Sequence, residues 1–213
     1  MLIVFAAPGA FASPPASVSE TAEAVDQHYN HMVTLKTDFV ETYRGMGITR
    51  VESGTLWLKK PGKMRWEYRS PSEKLFVSDG KTGWFYVKGD QQVRKAEMKN
   101  LDDLRSPLRY LLGKTRLQQE FEGLSLAPDV KPLSPANIVL RGVPKGLEER
   151  ISQVLLEITP EHMMERITIE EVDGAITEFH FTNQTENMAI ADSHFHFQPP
   201  PGVEMVEMKE LAQ

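Results

Sequence analysis

Between Gly54 and Val87 the chain falls into four short apolar runs, each closed by a turn signal. In one of them Met64, Trp66 and Tyr68 alternate with Arg65, Glu67 and Arg69, so a strand there has one apolar and one charged face. Lys60-Pro61-Gly62, Ser70-Pro71-Ser72, Asp79-Gly80 and Gly89-Asp90 punctuate the runs, which predicts a meander of antiparallel strands. Asp79-Gly80 predicts a two-residue type I′ turn with positive φ at both residues, and Asp173-Gly174 predicts a second turn of the same type.

Upstream, Ser17-Val18-Ser19-Glu20 has the form of a capping box, and Ala22, Val25, Tyr29, Met32 and Val33 follow at spacings of three and four, which predicts an amphipathic helix. Leu35 to Tyr43 turns toward period two, with Leu35, Thr37, Phe39 and Glu41 on one face. Downstream, Ala96 to Gly113 carries Leu101, Leu104, Leu108, Leu111 and Leu112 on one helical stripe, with Ser106-Pro107 as an N-cap and first-turn proline inside it. Leu117 to Leu126 reads as a further turn or two of helix with Phe121 and Leu124 inward. Asn137 to Arg141, Ile151 to Thr159, Glu165 to Val172, Ala175 to Thr182 and Met188 to Phe197 read as strands. The sum is about ten strands and two or three helices: an α+β fold in which helices are segregated from one large antiparallel sheet, in a single domain over residues 17–213.

Composition narrows the function. A chain of 213 residues with 40% hydrophobic and 25% charged residues can bury a sizeable core, and a net charge of -6 offers no basic footprint for nucleic acid. The absence of cysteine excludes disulfides, thiolate metal sites, a thiol nucleophile and a lipidated N-terminal cysteine. Leu2 to Ala12 is uncharged and apolar, and Ala10-Phe11-Ala12 before Ser13-Pro14-Pro15 has the form of a signal-peptide cleavage site, although no basic residue precedes it. Residues 1–16 are therefore either part of a signal peptide or a disordered apolar tail. The sequence has no Gly-x-x-x-x-Gly-Lys, no Gly-x-Ser-x-Gly and no His-Glu-x-x-His, so the commonest nucleotide and hydrolase chemistries lack their parts. His194 and His196, with His180, could begin a metal site if they met; alternating histidines on the wet face of an edge strand are the commoner reading. Glu170-Glu171 and Asp102-Asp103 read as solvated charges. Neither catalysis nor a cofactor is expected.

Gly54-x-Leu56-Trp57-x-Lys59-Lys60-Pro61, Arg65-Trp66-x-Tyr68-x-x-Pro71 and Val77-x-Asp79-Gly80-x-x-x-Trp84-x-Tyr86 together resemble the LolA family of periplasmic lipoprotein carriers. Ser106-Pro107-Leu108 is similar to the family's proline-started lid helix, and Phe195-x-Phe197-x-Pro199-Pro200-x-Gly202-Val203 to its C-terminal strand. The resemblance implies an open, strongly curved half-barrel of about ten to eleven strands, covered by lid helices over an apolar cavity. That cavity would receive the acyl chains of lipoproteins released by an inner-membrane ABC transporter and handed on to an outer-membrane receptor. The cavity residues it implies are Met64, Trp66, Tyr68, Leu75 and Val77 from the sheet and Leu101, Leu104, Leu108, Leu111 and Leu112 from the lid. All of these are also ordinary core residues for a domain of this size.

The resemblance further makes Lys60 a latch that holds the lid closed in the empty state, at a position where better-known members have arginine. Lysine lacks the planar fork of donors, so a weaker latch is expected. A monomeric periplasmic chaperone is the first reading. A lipid-sensing or lipid-transfer protein of the same fold is the second.

Overall fold

The structure is a computed structural model that describes residues 17–98 and 116–207. Helix α1 (Val18–His31) leads into β1 (Thr34–Gly45), β2 (Ile48–Lys59), β3 (Lys63–Ser70), β4 (Lys74–Asp79), β5 (Thr82–Val87) and β6 (Gln92–Glu97). A single helical turn, α2 (Leu117–Glu120), precedes β7 (Phe121–Leu126), β8 (Ile138–Pro144), β9 (Ile151–Ile158), β10 (Met164–Glu171) and β11 (Ile176–Glu186). A 3-10 turn at Asp192–Phe195 and the short β12 (Glu204–Glu207) close the described chain.

The twelve strands form one open sheet in the order β12-β6-β5-β4-β3-β2-β1-β11-β10-β9-β8-β7. All pairs are antiparallel except β12 with β6. Three segments differ from the sequence expectation. Ala96, read as the start of a helix, belongs to β6, and Leu117 to Leu126 is one helical turn followed by β7. Gly123 at φ 63 lets β7 slip register against β8, which breaks the period-two signal. Met188 to Phe197 is not a strand: it crosses the sheet as an irregular strap with a 3-10 turn, and pairing resumes only at β12.

The capping box forms as expected: Glu20 N–H donates to Ser17 Oγ at 3.1 Å and Ser17 N–H to Glu20 Oε2 at 2.9 Å. Both Asp-Gly pairs make hairpins, but only the glycines take positive φ, 94° at Gly80 and 86° at Gly174. Type I′ geometry is therefore not adopted. Each aspartate instead turns its side chain onto the backbone, Asp79 Oδ1 accepting from the N–H of Lys81 and Thr82 at 2.8 Å and Asp173 Oδ1 from Ala175 at 2.9 Å.

Register defines two faces of the sheet. Phe39 pairs with Phe181 and Gly54, Leu56 with Trp66, Leu58 with Met64, and Trp66 with Phe76. These directly opposed residues point the same way, and we call that face inner. It carries one contiguous core that includes Ala22, Val25 and Tyr29 of α1, Trp66 of β3 and Phe121 at the far edge. Trp66 and Phe179 stand three strand spacings apart in the sheet, ~14 Å along a flat one, yet their ring centroids are 5.7 Å apart. The sheet curls so that the inner rings converge.

Candidate functional site

The inner face of β1, β3 and β11 carries an aromatic floor. Phe39 meets Trp66 and Tyr68 edge-on at 4.8 and 5.0 Å, and Trp66 stacks on Tyr68 at 5.9 Å. Phe179 stacks on Phe181 at 6.2 Å and closes the far side of the floor. Beyond Trp66 the same face continues through Phe76 and Phe85 to Ala96 and Met98, a second apolar island in which Phe76, Phe85 and Met98 are half-buried.

Met64, Trp66 and Tyr68 therefore lie together as the sequence alternation required. Leu75 and Val77 do not join them. Leu75 pairs with Glu67 and Val77 with Arg65, which puts both on the outer face. The unbroken apolar run Leu75-Phe76-Val77 carries no alternation from which a face could be read, because both sides of β4 are covered. Phe76 is the inner-face member. The expected lid residues Leu101, Leu104, Leu108, Leu111 and Leu112 lie outside the described residues.

The outer face of β2 to β5 is covered by the strap. His194 packs edge-on against Trp57 at 4.9 Å, and Phe197 lies against Trp84 and Tyr86 at 6.3 and 6.2 Å. Phe195 and Val77 are fully buried there. Asp192 pins the strap by accepting from Lys59 and Lys63 at 2.7 and 2.6 Å, and these two bonds bring its carboxyl down to about 2. Burial against Trp57 lowers the His194 imidazole, helped by the Arg65 charge. His180 lies elsewhere, 3.9 Å from Glu165. The histidines named from the sequence do not meet, and among the described residues no three His, Asp or Glu side chains converge on a metal position.

Lys60 closes onto α1. Its Nζ donates to the carbonyl oxygen of Tyr29, and its backbone N–H donates to Val33 at 2.9 Å. The last helical turn leaves its carbonyls without intrahelical partners and carries the negative end of the helix dipole, so an ammonium is well placed there. Burial pulls the Lys60 ammonium below its ordinary value, opposed by the negative charge of Glu186. Glu186 also meets His28 at 2.5 Å. The same end of α1 borders a groove of about 400 Å3 lined by Ala24 and Met32 and by the polar His28, His31, His162 and Glu186, a mixed surface. Tyr29 itself is fully buried, accepts from the Met164 N–H at 2.9 Å, and has its phenol pushed up by desolvation.

One polar cluster borders the aromatic floor at Tyr68, and sequence reading gave its partner Glu41 only a place on a strand face. Tyr68 Oη donates to Glu41 Oε2 at 2.8 Å, and Glu41 pairs directly with the buried Glu52, which is bound by Arg50 and Lys74. Burial raises the Glu41 carboxyl; the Tyr68 bond opposes this, and the neighbouring Glu52 charge adds to it. Burial likewise pushes the Tyr68 phenol up, with the Glu41 charge adding to it. Only the pairing register brings these groups together.

A pH dependence follows from Glu41. Its folded pKa lies above the ordinary 4.5, so the folded protein binds that proton more tightly, and its contribution to stability falls as pH rises through the raised value. Glu41→Gln removes the penalty. Its urea midpoint is expected to exceed that of the parent at about pH 8 and to match it near pH 4. An equal offset at both pH values would mean that Glu41 is not the group responsible.

Residues 30–198 match the family described as "Outer membrane lipoprotein carrier protein LolA". The outer-membrane lipoprotein carrier protein of Chromobacterium violaceum is 31% identical over 206 residues, spanning 96% of each chain. That of Nitrosospira multiformis is 29% identical over 178 residues, 81% of this chain and 82% of its own. Among solved structures, an uncharacterized conserved protein from Thermus thermophilus covers 89% of this chain and 98% of its own with a TM-score of 0.54 at 12% identity, a likeness of fold alone. Matched over most of its length by that family and by carriers of nearly the same extent, the chain is a member of the LolA family of outer membrane lipoprotein carrier proteins.

Proposed function

We propose that the protein carries acylated lipoproteins across the periplasm, taking them from an inner-membrane ABC transporter and passing them to an outer-membrane receptor, with the acyl chains held against the inner face. The observation that carries this reading is the continuous apolar inner face, from the Phe39–Trp66–Tyr68 floor to Phe76 and Phe85, in a chain of the carrier family. Each methylene withdrawn from water is worth about 0.8 kcal/mol, so two palmitoyl-length chains need shelter worth on the order of 20 kcal/mol. A carrier needs no covalent step, and its task is to bind, shield and release. Met64, Trp66, Tyr68, Phe76 and Phe85 would contact the chains from the sheet, with the leucine stripe of residues 101–112 facing them.

Native mass spectrometry of the protein purified from periplasm, with solvent extraction of whatever leaves it, tests the reading. A co-purified di- or triacylated lipoprotein is the expected result. Free phospholipid with no lipoprotein would move the function to lipid transfer, and a protein that arrives empty and refuses an added lipopeptide would overturn both.

Lys60 sets the balance between holding and releasing. Lys60→Met keeps the aliphatic stem but leaves the Tyr29 carbonyl without its cation, a loss of ~1–2 kcal/mol from α1 docking. Lipopeptide uptake is expected to change little, while transfer to an acceptor slows roughly fivefold, the factor that ~1 kcal/mol carries. An unchanged transfer rate would make Lys60 a structural helix contact and no latch.

A further inference from the structure

We propose that the indole N–H of Trp66 is the docking point for the carbonyl oxygen of an ester-linked acyl chain. The inference rests on the carrier reading above and names the contact that sets the depth of the cargo.

Trp66 is 3% exposed, packed among Phe39, Tyr68 and Phe179, and its Nε1 has no hydrogen-bond partner among the described residues. Buried tryptophan N–H groups ordinarily find an acceptor, because leaving one unmade forfeits the hydration that the unfolded chain enjoyed. A ring that only filled space would carry no such cost, and phenylalanine serves at positions 39, 179 and 181 of the same floor. The neighbouring polar groups do not relieve it. The Tyr68 hydroxyl donates to Glu41, and Glu41 is turned to that bond.

The missing partner must therefore be an acceptor that enters an apolar site. Along an acyl chain there is one such atom, the carbonyl oxygen at its head. With the carbonyl at Trp66, the alkyl chain extends over Phe76 and Phe85 toward Ala96 and Met98, with Lys74 and Arg94 of the same face at its margins. The linkage itself then lies toward the polar margin of Tyr68 and Glu41. Empty protein holds an unmet donor and loaded protein does not, so the contact favours loading without adding apolar area.

The test compares a peptide carrying an S-dipalmitoyloxypropyl cysteine with its dihexadecyl ether analogue, which has the same chains but no carbonyl. The parent protein is expected to bind the diester about tenfold more tightly, a difference of ~1.4 kcal/mol, and Trp66→Phe to bind both alike at the level of the ether. In the unmodified protein, one of the three tryptophan indole N–H resonances should move downfield with the diester and stay with the ether. That readout stands even if the variant folds poorly. Equal binding of the two peptides by the parent, or a preference that survives in Trp66→Phe, would overturn the assignment while leaving the carrier intact. Failure of the parent to bind either peptide would overturn the carrier reading and this inference with it.

Discussion

Gly54→Ala is expected to lower stability by at least ~3 kcal/mol, the upper end of what a misplaced methyl costs in a packed interior. A Cβ built at Gly54 would stand 1.7 Å from the carbonyl oxygen of Glu67, 2.7 Å from its carbon and 2.9 Å from the Cα of Tyr68. These are backbone atoms of β3, so no side chain can swing aside to make room. The register slips between Ser53 and Gly54, and this irregularity lets the two strands approach so closely beneath the Phe39–Tyr68 contact. A protein of this size loses roughly 2–4 °C of melting temperature per kcal/mol, so a drop of about 10 °C is expected in a thermal melt. Gly47→Ala provides the comparison. Gly47 sits at φ 76 with nothing within 4 Å of an added Cβ, so its substitution carries only the left-handed backbone cost of ~1–2 kcal/mol. If Gly54→Ala melted with the parent, β2 and β3 would part freely, and the floor that holds Trp66 would not be a fixed scaffold.

Gly54 also shows how far sequence reading reaches. Its place at the head of the Gly54-x-Leu56-Trp57 run marked the centre of the sheet, and the alternation from Met64 to Tyr68 assigned the inner face of β3 correctly. The helix α1 was legible because its cap is local: Ser17 and Glu20 satisfy each other within four residues. What was lost depended on distant partners. β6, with Val93 and Ala96 as its buried residues, is short and otherwise charged, and it becomes a strand by pairing with β5 and β12. Nothing in Met188 to Phe197 distinguishes a strand from a strap, since Phe195 is buried and Phe197 half-buried against the outer face and not by ladder partners. The Glu41–Tyr68 bond spans 27 residues, and no single-chain pattern announces it.

The same loss of long-range information hides which half of β4 lies on the proposed acyl face. Phe76→Asp is expected to cut lipopeptide affinity by at least about 100-fold, while Leu75→Asp on the adjacent residue leaves it within about twofold. Phe76 faces Trp66 and Phe85 on the inner side and links the main core to the island of Ala96 and Met98. A carboxylate there would be buried beneath the proposed alkyl chain, and Lys74 on the same face is already engaged by Glu52, so the buried charge costs several kcal/mol, each ~1.4 kcal/mol being a factor of ten. Leu75 is paired with Glu67 and Tyr86 on the outer side, where the strap and solvent already accommodate polar groups. Both side chains are half-buried, so neither substitution need unfold the sheet. Thermal melts run beside the binding assay separate loss of cargo from loss of fold, and Phe76→Ala, which removes area without adding charge, should weaken binding by a smaller factor. The reverse pattern, with Leu75→Asp abolishing uptake and Phe76→Asp sparing it, would put the acyl site beneath the strap and make the aromatic floor an ordinary core.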